Sequence, residues 1–286
     1  MSKDVIWFSS YPKSGKTWLK IMMESILLHE GGVVTINDLS LANHTNLNRS
    51  AFDLYFGINT SDLTLDETWQ YKREYYRNFA NSEKTWNFVL THDENQVFKN
   101  GTRLFPKEVT RSVIHIVRNP LSVVASLANH LRISIDESIE VLNSYSFSMG
   151  EKNFSSTKSV YSKSGSWSSN VDSWVNNSPY PVHLIKYEDL VENTLESLKS
   201  LFQFLNHNVS DTVLAYAIEN SSFRKLSSTE SLEGFREKPS TSSQFFRKGR
   251  TDSWKEELTN EQIERVIKDH RIMMIQMGYL NGVEKH

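Results

Sequence analysis

A loop rich in lysine, serine and glycine lies near the start of the chain and is the segment best suited to chemistry. It reads Ser9-Ser10-Tyr11-Pro12-Lys13-Ser14-Gly15-Lys16-Thr17-Trp18. A short apolar run at 5–8 precedes it and an amphipathic run at 19–28 follows it, so the order predicts a strand, a tight loop and a helix. The unpaired N–H groups at a helix start and the helix dipole together bind anions. Because two lysines and two hydroxyl groups lie in the same turn, the loop is predicted to bind phosphate or sulfate.

A nucleoside triphosphate loop is the first alternative for this segment. The Walker A pattern, G-x-x-x-x-G-K-[ST], matches at Gly15-Lys16-Thr17, but Ser10 stands where the first glycine belongs. A P-loop kinase-like phosphotransferase that uses ATP therefore stays open as an alternative. An ordinary strand–helix turn with solvated lysines is disfavoured, because so many anion-binding residue types share one turn.

Two further basic segments follow later in the chain. Arg118 comes at the end of an apolar run at 112–117 and is followed by Asn119-Pro120, which opens a helix that carries Ser126 two turns later. The second segment is Phe245-Phe246-Arg247-Lys248-Gly249-Arg250. Arginine offers paired donors to phosphate oxygens, and glycine lets the backbone approach them closely. Arg118 is predicted to belong to an anion site rather than to a surface salt bridge. The second segment is predicted to be an anion site, with a basic solvated loop as the alternative.

Alternating apolar and amphipathic runs must position these segments. Near-continuous apolar runs predict buried parallel strands at 5–8, 86–90, 112–117 and 182–185. Helices are predicted at 16–30, 121–131, 167–176, 195–205, 211–219 and 259–277, the last with Thr259 as its N-cap and Gly278 at its end. This alternation predicts a single α/β domain over residues 1–286, with a central mostly parallel sheet flanked by helices and a P-loop-like nucleotide site. Three polar stretches, at 37–66, 143–169 and 227–243, are predicted to be loops.

Composition limits the classes of partner. The 286 residues have a net charge of −2 and no cysteine, so a general attraction to nucleic acid or to an anionic membrane is not expected, and thiolate metal sites and disulfides are excluded. No leader or membrane-spanning run is recognised. We expect a cytoplasmic protein that binds no nucleic acid, membrane or metal.

Taken together, the motifs resemble the cytosolic-type sulfotransferases that use 3′-phosphoadenosine 5′-phosphosulfate (PAPS), and among these a bacterial branch acting on small natural products. The resemblance rests on residues 11–18, on Arg118-Asn119-Pro120 with Ser126, and on Arg247-Lys248-Gly249. Two intermediate pieces, Gly165-Ser166-Trp167 and Tyr187-Glu188-Asp189-Leu190, occur in the same order and at similar spacing. The resemblance implies PAPS as donor, PAP as product and a reaction without metal.

The resemblance also implies a role for each motif residue. The 5′-phosphosulfate would be held by Lys13, Ser14, Gly15, Lys16 and Thr17. The adenine would be surrounded by Trp18, Tyr187, Ser221 and Phe223. The 3′-phosphate would be bound by Arg118, Ser126, Arg247, Lys248 and Gly249. His92, after Thr91, would be the catalytic base, and the Lys13 ammonium would stabilise the departing oxygen; a histidine, whose ordinary pKa lies near neutrality, suits that task.

The chain departs from the family pattern around His92. Leu90 stands where the family usually has lysine, and Lys16 stands where threonine is usual, so Lys16 is a candidate to compensate. Asp93-Glu94 replaces the usual apolar pair that faces the acceptor. We therefore expect Asp93 and Glu94 to bind a polar or cationic acceptor, such as a guanidinium alkaloid of the saxitoxin type, through a hydroxyl or an amine. The alternative is that both carboxylates turn to solvent or pair with Lys16 or Lys99.

Two further questions stay open at this point. A dimer motif of the family is resembled by Lys255, Thr259 and Glu264, but Asn260 replaces its valine, so a monomer or a weak homodimer is expected. A non-catalytic nucleotide-binding module is the second alternative to an enzyme.

Overall fold

The computed structural model describes residues 4–44, 47–81, 86–149, 160–236, 238, 245–246 and 249–281. The chain groups into two compact units. Unit 1 comprises Met1–Pro12, Ala42–His115 and Asn143–Leu184, and unit 2 comprises Lys13–Leu41, Ile116–Leu142 and Ile185–His286. In the described part of the chain no helix is both long and apolar enough to cross a membrane.

The described strands form a five-stranded sheet and a two-stranded hairpin. They are β1 (Val5–Ser10), β2 (Ala42–His44), β3 (Asn87–Thr91), β4 (Thr110–Val117), β5 (Ser148–Met149), β6 (Ser162–Lys163) and β7 (Val182–Lys186). The larger sheet has the order β2-β3-β1-β4-β7. Its β3 runs parallel to both neighbours, with Phe8 opposite Leu90 and Ala42 opposite Phe88. The short hairpin pairs β5 and β6 antiparallel.

Burial explains why the apolar runs become strands. Every residue of β1 and β3 is buried, as the predicted location inside a parallel sheet requires. In unit 1 the ring of Trp7 packs on Tyr76 and Phe105, at centroid distances of 5.2 and 4.7 Å, and its Nε1 donates to Thr110 Oγ1 at 2.8 Å. Full burial of one large apolar side chain stabilises a fold by about 1.5–3 kcal/mol, so this aromatic cluster anchors β1 and with it the loop that follows.

The helices are α1 (Lys16–His29), α2 (Arg49–Phe56), α3 (Leu65–Arg77), α4 (Pro120–Leu131), α5 (Ile135–Asn143), α6 (Trp167–Val175), α7 (Tyr187–Glu192), α8 (Thr194–Phe204), α9 (Asp211–Asn220), α10 (Phe223–Glu233), α11 (Trp254–Glu257) and α12 (Asn260–Gln276). The four predicted strands and six predicted helices are present within a few residues of their expected bounds. The predicted α/β fold, with a central parallel sheet flanked by helices, is confirmed.

Local capping fixes where several helices begin. The side chain of Asn119 accepts from Leu121 N and Pro120 occupies the first turn of α4, which confirms the predicted start after Arg118. Thr259 caps α12 and forms a capping box with Gln262. At the other end of α12, Gly278 follows the helix as predicted and adopts a left-handed conformation with φ +72°.

Two polar stretches that were predicted to be loops contain helices instead. Within 37–66, α2 begins at an Asn48 cap and buries Phe52. Within 227–243, α10 continues to Glu233 and buries Leu226 and Glu230. α10 has few apolar residues, and α2 is only eight residues long within an otherwise polar stretch, so neither helix stands out in the sequence. Packing of one or two side chains in the folded protein stabilises them.

Candidate functional site

The loop between β1 and α1 bends through two left-handed residues in unit 2. Lys13 has φ +70° and Gly15 has φ +96°. A residue with a Cβ pays about 1–2 kcal/mol in this region, so the Lys13 backbone is strained, and such strain is concentrated at functional sites. Gly15 precedes α1 and provides no side-chain cap. A helix that starts without a cap suits an anion that accepts from its first N–H groups.

Ser14 supplies a test of whether the loop fits an anion. The residue is 1% exposed, and no hydrogen-bond partner for its hydroxyl is found among the described residues. A buried hydroxyl without a partner costs about 1–3 kcal/mol. A phosphate or sulfate oxygen that accepted this hydrogen bond would remove the cost. The residues of the loop therefore fit the anionic group that the sequence predicts for them.

Aromatic side chains lie directly against this loop. A Cβ on Gly15 would overlap the ring of Tyr187, so only glycine permits the approach. Trp18 meets Tyr187 edge to face at 6.1 Å and donates from Nε1 to Ser221 O at 2.8 Å. Burial raises the pKa of the Tyr187 hydroxyl, which keeps it neutral. Three residues that were predicted to surround an adenine are thus brought together; their contact with a base stays a prediction.

Arg118 joins the loop to the aromatic group. It follows β4, donates from Nη1 to Lys13 O at 3.2 Å, and places its guanidinium 4.4 Å from the centre of the Tyr187 ring. An arginine stacked on an aromatic face keeps its planar donors oriented for an oxyanion. This geometry is compatible with the predicted phosphate contact, and Ser126 lies half-buried on α4.

The third predicted anion segment is described only in part. Arg247 and Lys248 lie outside the described residues. Phe245 and Phe246, just before them, donate their N–H groups to the buried Glu230 carboxylate at 2.6 and 2.8 Å. After them, Gly249 has φ +59°, and a Cβ there would come 2.6 Å from the ring of Phe223. The backbone on both sides of the two cations is therefore closely held within unit 2.

The Lys13 side chain has partners that the sequence analysis missed. Its Nζ lies 4.7 Å from the centre of the Phe245 ring and 3.4 Å from His130 Nδ1. Burial and the charge of Lys13 lower the pKa of His130 to about 4, so this imidazole is neutral near pH 7 and accepts from the ammonium. One signal was available: His130 lies four residues after Ser126 and thus on the same face of the α4 helix.

The predicted base lies in unit 1, directly after β3. His92 Nδ1 lies 2.7 Å from Ser10 O and 3.4 Å from Ser10 Oγ. A carbonyl oxygen only accepts, so a neutral imidazole in this position carries its proton on Nδ1, and Nε2 is then its basic nitrogen. Asn170 Nδ2 donates to the carbonyl of His92 at 3.2 Å. The arrangement can therefore perform base chemistry at Nε2.

The two carboxylates after His92 are paired inside unit 1. Asp93 Oδ2 lies 2.8 Å from Lys72 Nζ, and both side chains are fully buried. Glu94 Oε1 lies 2.7 Å from Lys163 Nζ, with the side chains 12% and 26% exposed. The expectation that Asp93 contacts an acceptor is not supported, because its carboxylate has no exposed surface. Neither Lys16 nor Lys99, the partners considered from the sequence, is the lysine found in these two pairs.

Gly165 leaves the space that the Glu94 carboxylate occupies. A Cβ on Gly165, which has φ +65°, would overlap the Glu94 carboxylate and the Ser169 hydroxyl. Ser169 Oγ donates to Glu94 Oε2 at 3.1 Å. The predicted Gly165-Ser166-Trp167 motif therefore includes a glycine required by close packing, with Ser166 as the N-cap of α6.

No metal site accompanies these groups in the part of the chain that the structure describes. Within those residues no set of three or more histidine, aspartate or glutamate side chains is arranged to hold a metal ion. The site chemistry that the described residues offer consists of lysine and arginine cations, hydroxyl donors and the imidazoles of His92 and His130.

Comparison with known proteins identifies the class. The sulfotransferase domain family matches residues 3–278. The chain is 24% identical over 275 residues to flavonol 3-sulfotransferase of Flaveria bidentis, covering 92% of this chain and 79% of that protein. It is 25% identical over 274 residues to sulfotransferase 1A1 of Rattus norvegicus, covering 92% and 81%.

Solved structures agree on the fold. Mouse sulfotransferase SULT7A1 complexed with PAP covers 95% of this chain and 84% of its own, with 20% identity and a TM-score of 0.60. Retinol dehydratase complexed with retinol and PAP covers 100% and 84%, with 16% identity and a TM-score of 0.62. The chain belongs to the sulfotransferase family, and the predicted resemblance to the cytosolic-type PAPS-dependent enzymes is confirmed.

Proposed function

We propose that this enzyme transfers the sulfuryl group of PAPS to a hydroxyl group of a small molecule, with His92 as general base. The observation that carries the proposal is the hydrogen bond from His92 Nδ1 to Ser10 O, which places the proton of a neutral imidazole on Nδ1 and not on Nε2. An alcohol attacks poorly until its proton is removed, and a fixed imidazole lone pair supplies that step.

The donor contacts are proposed for unit 2. Bound PAPS would supply an activated sulfuryl group whose bond to the bridging phosphate oxygen breaks as the acceptor oxygen attacks. The Lys13 ammonium would stabilise charge on the departing oxygen, and the Ser14 hydroxyl would donate to the same anionic end. Arg118, Ser126, Arg247, Lys248 and Gly249 would bind the 3′-phosphate. Support comes from the structural neighbours that were solved with PAP bound.

The acceptor is proposed to be a small organic molecule. Structural neighbours with this fold were solved with androsterone or retinol bound. The argument for a cationic acceptor rested on uncompensated carboxylates at Asp93 and Glu94. Because Lys72 and Lys163 already neutralise them, we propose a hydroxyl-bearing acceptor and treat amines and saxitoxin-type alkaloids as classes for the screen.

The experiment incubates the purified chain with PAPS and a metabolite library, and detects the gain of one sulfuryl group by mass spectrometry. Sulfated products in the wild type that disappear in His92→Ala, while PAP binding persists, support the proposal. Turnover by His92→Ala equal to wild type would overturn the role of the base. Calorimetry with PAP and with ADP tests the kinase alternative, which predicts tighter binding of ADP.

The 3′-phosphate contacts have their own test. Arg118→Ala and Arg247→Ala should weaken binding of PAPS strongly and binding of adenosine 5′-phosphosulfate, which lacks that phosphate, only slightly. Equal losses for both nucleotides would show that neither arginine binds the 3′ end.

Domain count, cellular location and oligomeric state are properties of the whole chain. We propose that residues 1–286 form one catalytic domain that acts in the cytoplasm as a monomer or weak homodimer. Sedimentation at several concentrations, with and without PAP, measures the oligomeric state.

A further inference from the structure

A buried ion pair lies beside the proposed base. Lys72, on α3, and Asp93, the residue after His92, are 2.8 Å apart at Nζ and Oδ2, and neither side chain has exposed surface. Removing two charges from water is costly, and an apolar pair of similar size often stabilises a fold as well or better. The contribution of this pair to stability alone therefore does not account for its presence next to His92.

Both residues of the pair form further hydrogen bonds. Asp93 Oδ1 accepts from Ser162 Oγ at 2.9 Å, and Oδ2 also accepts from Tyr76 OH at 3.2 Å. Lys72 Nζ donates a second bond to Tyr161 O at 2.9 Å. The Asp93 carboxylate thus receives donors from α3 and from the segment that contains β6. A satisfied buried network of this kind specifies one arrangement of the backbone.

The same network holds the backbone around His92. Asp93 N donates to Thr91 Oγ1 at 3.0 Å, and Trp174 Nε1 donates to Asp93 O at 3.0 Å. Asn170 Nδ2 donates both to His92 O at 3.2 Å and to Ser164 O at 2.9 Å. Residues on both sides of the imidazole are therefore fixed from α3, from the β6 segment and from α6.

We propose that the Lys72–Asp93 pair is a positioning device for His92, which fixes the backbone from which the imidazole projects and thereby holds Nδ1 on Ser10 O and Nε2 in its catalytic direction. This inference rests on the proposed role of His92 as base. It assigns Asp93 a function that differs from binding the acceptor. Rates depend steeply on such alignment, since a displacement of about 1 Å can cost about a hundredfold.

The test uses three variants and one matched control. Lys72→Met and Asp93→Asn each leave one buried charge uncompensated and are expected to lower thermal stability. The double variant Lys72→Met/Asp93→Asn removes both charges and should regain most of that stability. The control, Arg73→Met/Glu108→Gln, deletes the more exposed ion pairs that Glu108 forms with Arg73 at 3.0 Å and with Arg77 at 2.7 Å, both residues of the same helix. It touches none of residues 91–94 in the contacts described.

The kinetic result separates positioning from stability and from substrate binding. We expect the double variant to lose at least tenfold in kcat, with KM for the acceptor and affinity for PAP within about twofold of wild type, and the control to keep wild-type kcat. Wild-type kcat in the stable double variant would overturn the proposal. A selective rise in the KM of the acceptor would instead make Asp93 a binding residue and would overturn it as well.

A spectroscopic readout needs no acceptor. Imidazole 15N shifts, with the His92 signals assigned by their loss in His92→Ala, report which nitrogen carries the proton. We expect one Nδ1–H tautomer in the wild type and in the control, and a mixture of tautomers in Lys72→Met/Asp93→Asn. A single unchanged tautomer in the double variant would refute the inference. Absence of sulfuryl transfer by the wild type would refute the proposed function and leave the tautomer result interpretable.

Discussion

The Nδ1 atom of His92 and the Nζ atom of Lys13 each meet a neutral acceptor of the protein. Ser10 O accepts from His92 at 2.7 Å, and His130 Nδ1 lies 3.4 Å from the Lys13 ammonium. Each contact orients a reactive group without adding a charge that would oppose it. At the scale of single residues, the hydrogen bonds therefore select the tautomer of His92 and orient the Lys13 ammonium, and they add no further ion beside either group.

Loss of the Lys13 ammonium should be severe. Lys13→Ala is expected to lower kcat by about 10²–10³-fold, the usual effect of removing one preorganised group that stabilises transition-state charge. Single-turnover kinetics with saturating PAPS measures the chemical step. Lys225→Ala, which removes a lysine paired with Glu219 at 3.2 Å, is the matched control and should be neutral. Near-normal turnover in Lys13→Ala would contradict the role of the loop.

The pH dependence of the reaction near neutrality should not come from His130. Because the pKa of His130 is lowered to about 4 by burial and by Lys13, its protonation does not change between pH 5.5 and 8. We expect the acidic limb of kcat/KM in this range to persist in His130→Asn. A limb that vanished in this variant would assign the titration to His130.

At the scale of elements, the start of α1 depends on a glycine. Gly15 combines a left-handed backbone with the packing of the Tyr187 ring against its Cα. The same ring carries the guanidinium of Arg118. One turn between β1 and α1 thus controls the position of the uncapped helix start and of a cation that follows β4.

A comparison of Gly15→Ala with Gly57→Ala should separate the cost of the left-handed backbone from the cost of the contact with the Tyr187 ring. Gly57 has φ +65° and would accept a Cβ with nothing within 4 Å, so its substitution costs only the conformational term of about 1–2 kcal/mol. Gly15→Ala adds a collision with Tyr187 and should destabilise more and weaken PAP binding. Chemical denaturation and calorimetry measure both effects; equal destabilisation with unchanged PAP affinity would contradict the packing argument.

At the scale of the whole molecule, the donor and base residues divide between the units. Every described residue predicted to bind PAPS lies in unit 2, and His92 lies in unit 1. The chain passes from unit 1 to unit 2 at Pro12–Lys13, within the anion loop, and again shortly before Arg118 and Tyr187. With a net charge of −2, attraction for an anionic donor comes from this local set of cations and not from the protein as a whole.

Acid should destabilise the folded protein through buried histidines. Burial lowers the pKa of His130 and of His270 from 6.5 to about 4, so the unfolded chain binds more protons in this range. Stability from these groups is complete above about pH 6.5 and is lost as pH falls toward 4, by up to about 1.4 kcal/mol per pH unit for each histidine. The free energy of unfolding, measured with urea at several pH values between 4.5 and 7, should fall less steeply with decreasing pH in His270→Leu than in the wild type. An unchanged dependence on pH would contradict this prediction.

Much of the fold was predictable because local pattern specified it. The apolar runs of β1, β3 and β4 identify buried strands without reference to any partner, and the Asn119-Pro120 pair specifies the start of α4. The helices α2 and α10 were not predicted, because α2 is only eight residues long within a polar stretch and α10 has few apolar residues. Packing against other parts of the chain stabilises both helices.

The residue types and spacing of 13–18 determined by themselves that the first loop would suit an anion, because each donor belongs to one continuous turn. The partners of Asp93, Glu94 and Lys13 were decided only by the tertiary structure. Lys72 precedes Asp93 by 21 residues, and His130 lies 117 residues from Lys13. No short-range sequence pattern identifies pairs so far apart. A buried carboxylate pairs with whichever lysine lies next to it in the folded chain. For that reason the charges of 93 and 94 suggested an acceptor contact in the sequence, whereas the folded chain neutralises both internally.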